Sequence, residues 1–342
     1  MAEDPNHPER VRFQEGKMID QFRVGKHIGS GGYGDIYSVY DTNNNDKLCA
    51  MKIEFLAAEK QGLLDEIRIM KTLKGSLYFP ALIAEGIIKD EFRYLVMELL
   101  GPSLSTMRRI LVHRRFTLYS TLKLSIEMLN SIEEFHRKGF IHRDIKPGNF
   151  LIRSSSKYPI CLIDFGLSEP LFDVDTHKHI KPNPHAGFTG TCRYASLNAH
   201  AEKQQSRRDD LWSWFYSLIE LIESKVPWPG SRDRELTIEM KKTMSPSELC
   251  QSLPQPYVDI YKYIVKLKFK EKPDYHWIRH KIREAIRNLS LSDPKYDWEL
   301  LDPSKLQTVS LIPLEFSQNN HNGEETSSAA EAEGGCAACN IA

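Results

Sequence analysis

The stretch Ile141-His142-Arg143-Asp144-Ile145-Lys146-Pro147-Gly148-Asn149 constrains this chain more than any other, and Ile163-Asp164-Phe165-Gly166 places a second aspartate twenty residues beyond Asp144. The spacing H-R-D-x-x-x-x-N carries a definite chemistry. Asp144 is placed to accept a hydrogen bond from an attacking hydroxyl and take up its proton, and Lys146 to balance charge on a transferring phosphoryl group. Asn149 offers a hard oxygen to Mg²⁺, and Asp164 would hold the metal that bridges phosphates while Gly166 lets the backbone turn. His142 reads as a packing residue and not as a base.

Upstream, Gly29-Ser30-Gly31-Gly32-Tyr33-Gly34 has the G-x-G-x-x-G spacing that lets backbone amides approach phosphate oxygens. Taken alone, it is equally an ordinary glycine-rich hairpin. Phe22 to Ile28 alternates like a strand, and Asp35-Ile36-Tyr37-Ser38-Val39-Tyr40 is rich in strand formers, so the loop joins two strands and does not open a helix. A third strand follows the turn-forming Asn43-Asn44-Asn45-Asp46 and carries Lys52 among apolar neighbours. A cation buried there needs anions, which phosphate oxygens and Glu66 on a following helix would supply. Singly, Lys52 and Glu66 are more readily surface side chains; only the later motifs overturn that reading. Further on, Leu118, Leu122, Leu129, Ile132 and Phe135 fall near helical spacing with Gly139 behind them, and helices are expected near 211–224, buried all round, and near 257–268.

Met97-Glu98-Leu99-Leu100-Gly101-Pro102-Ser103-Leu104, Gly190-Thr191-Cys192-Arg193-Tyr194-Ala195-Ser196-Leu197-Asn198 and Ser206-Arg207-Arg208-Asp209-Asp210-Leu211 complete the ordered set. With them, residues 21 to about 305 resemble the eukaryotic protein kinases, and within those the casein kinase 1 superfamily. Leu211-Trp212-Ser213-Trp214-Phe215-Tyr216, Val226-Pro227-Trp228 and Lys272-Pro273-Asp274-Tyr275 look closest to its tau-tubulin kinase branch. The resemblance implies a bilobal α+β fold, with a small antiparallel-sheet N-lobe over about 21–97, a hinge at 98–101 and a larger, mainly helical C-lobe over about 102–305. It also implies ATP between the lobes, with the adenine against the backbone of Glu98 and Leu100, beneath Ile28, Ile36 and Ala50, and with Met97 as gatekeeper. The loop Gly29 to Asp35, including Ser30, Gly31, Gly32, Tyr33 and Gly34, would cover the phosphates, which Lys52 would align. Asp210 would brace the catalytic loop through hydrogen bonds.

The expected activity is transfer of the γ-phosphoryl of Mg·ATP to Ser/Thr hydroxyls of protein substrates. A pseudokinase scaffold is the alternative, and the intact Lys52, Asp144, Asn149 and Asp164 argue against it. Relatives of this kind often favour primed sites, but Glu235 and Glu239 interrupt the basic residues of 230–244, which weighs against a priming requirement here.

With 46 Lys+Arg against 46 Asp+Glu there is no global field to attract nucleic acid, and no nucleic-acid partner is expected. The opening residues lack the parts of a secretory signal and no run is long enough to span a membrane, so a cytoplasmic or nuclear monomer is expected. Cys49, Cys161, Cys192 and Cys250 read as reduced core residues. Residues 1–20 are expected as a flexible extension, and 306–342 as a C-terminal extension that becomes a flexible acidic tail from about 317. The terminal Cys339-Asn340-Ile341-Ala342 fits a C-a-a-X box, and membrane attachment would follow only if Cys339 were prenylated. Because 317–342 contain no Lys or Arg, the unmodified tail is the simpler reading. Cys336 and Cys339 also have C-x-x-C spacing, without a second pair to make a metal site.

Overall fold

The computed structural model describes residues 2–4, 7–31, 34–57, 61–89, 91–155, 157–173, 175–289 and 295–314, with side chains from Phe13 onward. Gly32 and Tyr33 of the glycine-rich loop, the tail from 317, and Cys336 and Cys339 within it lie outside the described residues.

The expected three-strand meander consists of β4 (Phe22–Gly31), β5 (Gly34–Asp41) and β6 (Lys47–Phe55), preceded by β1 (Ala2–Asp4), β2 (His7–Arg12) and β3 (Met18–Ile19). Antiparallel pairing sets Val24 opposite Val39 and Val39 opposite Cys49, and these residues share a core with Phe22, Tyr37 and Met51. β-branched and aromatic side chains suit such a half-buried pleated face. With β7 (Leu82–Ile88) and β8 (Phe92–Glu98) the sheet has six strands in the order β3-β4-β5-β6-β8-β7. Helix α1 (Leu63–Leu73) buries Leu63, Ile67, Met70 and Leu73, one face at helical spacing, and carries Asp65 and Glu66 in its first turn, where acids favour the helix dipole.

Part of the segment expected as a flexible N-terminal extension packs on the sheet. β1 pairs with β2, Ile19 is 3% exposed, and Phe13 meets Tyr37 and Phe92 edge to face at 6.0 and 5.4 Å. Isolated apolar residues in a charged stretch make no period, yet Phe13 and Ile19 find slots in the sheet core.

The second lobe is built on α2 (Leu104–Ile110), α3 (Leu118–Arg137), α4 (Leu197–His200), α5 (Arg207–Glu223), α6 (Arg234–Thr243), α7 (Pro246–Leu249), α8 (Pro256–Lys266), α9 (Tyr275–Arg287) and α10 (Pro303–Gln307). Thr117 caps α3 by accepting from the Ser120 amide at 3.3 Å, and α3 buries Leu122, Leu129, Ile132 and Phe135. From Leu211 to Ile222 only Trp212 of α5 is not fully buried, so the all-round apolar pattern marks the centre of the lobe. Four short strands hold the motif loops: β9 (Phe140–Ile141) pairs with β12 (Glu169–Pro170), and β10 (Phe150–Ile152) with β11 (Ile160–Leu162). The loop bearing Asp144 runs from β9 to β10 and the loop bearing Asp164 runs from β11 to β12, so this pairing holds the two aspartate loops side by side.

The chain also stays attached beyond 306. Leu306 is buried and Leu314 packs on the main core, so the C-terminal extension begins as part of the domain. Cys49, Cys161 and Cys250 are buried thiols and Cys192 is half-buried, all four free. None of the helices described is long and apolar enough to cross a membrane. The architecture is the bilobal α+β arrangement expected from the motifs.

Candidate active site

Lys52 sits in the middle of β6, 3% exposed, with its Nζ donating to Glu66 Oε2 at 2.6 Å and to Asp164 Oδ1 at 3.3 Å. Burial alone would push this ammonium down, but the two carboxylates outweigh it and hold its pKa above the ordinary lysine value. Burial would raise Asp164, yet Lys52, with Lys146 further off, keeps its carboxyl below the usual aspartate range. Glu66 also accepts from the Phe165 amide at 3.4 Å, so α1 of the first lobe is joined directly to the Asp164 loop of the second. Asp164 has φ 68, a left-handed conformation that a non-glycine residue adopts only where its surroundings enforce it. The next residue, Phe165, provides that anchor: it stacks on Phe135 at 5.3 Å and meets Phe79 and His142 edge to face.

The Asp144 loop is knitted by its own motif residues. Lys146 Nζ donates to Asp144 Oδ2 at 2.5 Å, and Asn149 Nδ2 donates to the Asp144 carbonyl at 2.9 Å. Asn149 O accepts from the Ile163 amide at 2.9 Å, which ties this loop to the strand leading into Asp164. His142 is fully buried, receives the Asp144 amide on Nδ1 at 3.3 Å and meets the Ile163 carbonyl with Nε2 at 3.1 Å. Those partners fix its tautomer as Nε2–H and leave it a packing role. Asp210 lies beneath, 1% exposed. Its Oδ2 accepts from the His142 amide at 2.7 Å and His136 Nε2 at 2.8 Å, and its Oδ1 from the Arg143 amide at 2.8 Å. Arg143, at φ 65, is thus held in the left-handed region directly before Asp144. Burial would raise the Asp210 carboxyl, but the His136 bond keeps it low, so the brace is charged.

A cavity of about 380 Å³ opens between the lobes, within the range of small-molecule sites. Ile28, Ile36, Ala50, Met97, Glu98 and Leu100, all expected around a base, line it. The described loop residues Gly29, Ser30, Gly31, Gly34 and Asp35 lie outside that lining, in the β4–β5 turn joining Ile28 to Ile36. Gly34 has φ 150, and a Cβ there would stand 1.9 Å from the Ile53 carbonyl, so only glycine fits. The Asp35 carboxylate accepts from Ser30 Oγ at 2.6 Å and lies 3.3 Å from His27 Nε2, an arrangement that shapes the loop. At the hinge, Arg153 Nε and Nη2 donate to Glu98 Oε1 and Oε2 at 2.9 and 2.6 Å, and the same guanidinium reaches the carbonyls of Leu77 and Phe79.

Several contributors carry no local signature. Thr191 Oγ1 donates to Asp144 Oδ1 at 2.6 Å and accepts from Lys146 at 3.3 Å. Arg143 pairs with Glu169 at 2.7 Å and donates to the Leu167 carbonyl, so a carboxylate of the chain itself faces this guanidinium. Leu151 and Ile163 line the cavity, as do Val309, Ser310 and Leu311 from beyond α10. Hydrophobic character at 151 and 163 is visible in the sequence; that these positions face a ligand cavity is not.

A lysine–glutamate–aspartate triad across two lobes, beside an aspartate–lysine–asparagine loop, defines a protein kinase domain. The chain matches the protein kinase domain family over residues 22–284, and it belongs to that family. A probable serine/threonine-protein kinase of Dictyostelium discoideum is 36% identical over 297 residues, covering 85% of this chain and 59% of that protein. This chain therefore spans less than two thirds of the length of the curated relative it matches.

Proposed function

We propose that the protein is an active serine/threonine protein kinase that transfers the γ-phosphoryl of ATP to Ser/Thr hydroxyls of protein substrates. The observation that carries this reading is the Lys52–Glu66–Asp164 triad, complete within one cleft beside Asp144. Lys52, kept charged by its two carboxylates, orients phosphates. Asp144, its oxygens steadied by Thr191 and Lys146, receives the acceptor hydroxyl and its proton. Lys146 faces charge on the phosphoryl group, and the Gly29–Asp35 loop covers the phosphates. Positioning and charge stabilisation supply most of the acceleration in such a site.

The donor set fits Mg²⁺. Asn149 uses its amide nitrogen on Asp144, which leaves its oxygen for a hard cation, and the Asp164 side chain is 40% exposed toward the cleft. Among the described residues there is no cluster of three or more His, Cys, Asp or Glu able to hold a metal alone, as suits an ion shared with phosphates. When bound, such an ion neutralises charge on the phosphates.

We further assign the chain to the casein kinase 1 superfamily, near its tau-tubulin kinase branch, on the motifs at 97–104, 190–198 and 211–216. Pairing of Arg193, one of the two cations considered for reading a priming phosphate, with Glu220 at 3.0 Å supports acceptor sites that need no priming. Pairing of Arg143 with Glu169 supports assembly of the loop without an activating phosphorylation. The test is ATP-dependent phosphate incorporation into peptide libraries with and without an upstream phosphoserine, wild type against Asp144→Asn. Transfer should fall by about 10² to 10⁴ in the variant, with ADP affinity retained. Equal turnover by the two proteins refutes the assignment of Asp144, and absence of transfer by the folded wild type refutes the kinase reading.

A further inference from the structure

Past α10 the chain turns back and runs along the hinge. The amides of Thr308 and Ser310 return to the carbonyls of Lys305 and Leu306 at 3.3 and 3.0 Å, and Ser310 Oγ donates to the Ile312 carbonyl at 2.7 Å. Leu314 then packs against the hinge at Gly101, where an added Cβ would come within 2.8 Å of Leu314 Cδ2 and 2.9 Å of the Ile152 carbonyl. Absence of a side chain at Gly101 is what lets the returning segment lie this close. Ser154 Oγ reaches the Pro313 carbonyl at 3.5 Å on the same side.

This course carries Val309 and Leu311 into the lining of the cavity that Ile28, Ala50 and Leu100 form from the lobes and hinge. Leu311 also lines a second hollow, together with Tyr40 and Leu48 of the first lobe. The segment borders the cavity without filling it, because about 380 Å³ remains open, which suits a wall and not a plug. Lys52 is not among the lining residues, so what this wall faces is the nucleoside end of a nucleotide and not its phosphates. An apolar side chain there that is 46% exposed has surface left for a base to cover.

We propose that Val309 and Leu311 contact the bound nucleotide, so that the C-terminal segment completes the ATP site and contributes to its affinity. The proposal rests on the nucleotide-binding reading above. Because coupling between two events is reciprocal, the nucleotide must also hold the segment in place.

The test uses the full chain and calorimetric titration with Mg·ADP and, separately, adenosine. The double variant Val309→Ala/Leu311→Ala should bind both about three- to tenfold more weakly, the order expected from removing a few partly covered methyl groups. The factor should match for the two ligands, since both present the same nucleoside to this wall. Leu300→Ala, shortly before α10, 69% exposed and outside the lining, should leave both affinities unchanged. In the wild type, ADP should slow amide hydrogen exchange across 309–314. Neither position is fully buried, and a melting temperature near that of the wild type checks that the variant folds. Unchanged affinity in the double variant overturns the proposal and leaves the kinase reading standing. Tighter binding also overturns it, since the segment would then be an obstruction, as does a loss confined to ADP. A wild type that binds neither ligand removes both readings.

Discussion

Replacing Asp210 by asparagine exchanges one carboxylate oxygen for an NH₂ group at the joint between the buried helix α5 and the catalytic loop, and the geometry sets the outcome. The carboxylate serves three donors: Oδ2 takes the His142 amide and His136 Nε2, and Oδ1 takes the Arg143 amide. Asparagine has one oxygen. Turned to keep the two bonds made by Oδ2, it presents an NH₂ group to the Arg143 amide; turned the other way, it leaves the His142 amide and His136 Nε2 without their acceptor. A buried donor deprived of its acceptor costs about 1–3 kcal/mol, and loss of charge from the remaining bonds adds to it. The expected loss is about 2–4 kcal/mol, a large share of a typical stability of about 5–15 kcal/mol. In a melting experiment this is a drop of several degrees, at roughly 2–4 °C per kcal/mol for chains of 150–250 residues and less for a longer one. The kinetic effect is separate. Arg143 at φ 65 is strained by about 1–3 kcal/mol, and the Asp210 bond helps hold it there. Once released, Arg143 moves the adjoining Asp144, and a displacement of about 1 Å costs on the order of 10² in rate. Steady-state kinetics should therefore show kcat falling by about 10- to 100-fold with KM for ATP nearly constant, because none of the cavity-lining residues is touched. A variant that melts lower but keeps its kcat would show that Asp210 supports the fold without positioning the loop. One that changes in neither respect would refute the hydrogen-bond argument itself.

Lys52→Met strands Glu66 and Asp164 without their cation, and the urea midpoint should fall by the equivalent of about 3–5 kcal/mol; adding Glu66→Leu should restore part of this, and a single variant as stable as wild type contradicts the buried triad. Lys241 supplies the pH test. Its Nζ donates to the carbonyls of Cys192 and Ala195 at 3.0 and 2.8 Å, lies 3.2 Å from His200 Nε2, and faces the rings of Tyr216 and Trp228. Burial pushes its pKa down to about 7 and that of His200 down to about 4. Between about pH 7 and pH 10 the unfolded chain binds a proton here that the folded chain does not, so stability rises with pH across that window. The melting-temperature difference between wild type and Lys241→Met should stay level below about pH 7 and climb in favour of wild type above it. A level difference throughout would mean that the amine stays charged in the fold.

Local chemistry made much of this molecule readable. The Gly29 to Gly34 spacing, the strand formers on either side and the Asn43–Asp46 turn fixed the meander, and an apolar strand around Lys52 required the anions that Glu66 and Asp164 provide. Dense aromatics from Leu211 to Tyr216 marked a helix buried all round. What stayed hidden depends on contacts between distant residues. Thr191 meets Asp144 across 47 positions, and neither neighbourhood announces the other. Glu169 facing Arg143 looks like any surface acid. Phe13 is a single apolar residue in a charged stretch and no period identifies it, while Leu314 lies in the apolar run Leu311-Ile312-Pro313-Leu314, past the domain end at 305 that the motifs suggest. The left-handed conformations of Arg143 and Asp164 are held by the Asp210 bond and the Phe165 anchor, contacts with distant residues that no local pattern announces.

The Arg153 guanidinium grips both oxygens of Glu98 and, from the same plane, the carbonyls of Leu77 and Phe79. One rigid side chain thereby rivets the connecting strand to the floor of one lobe and to the approach to β7 in the other. Sliding of the lobes past each other would break that clasp, whereas rotation about it would not. A book-like swing on this spine is therefore the opening that the clasp would survive, with the two faces of the cleft kept in register.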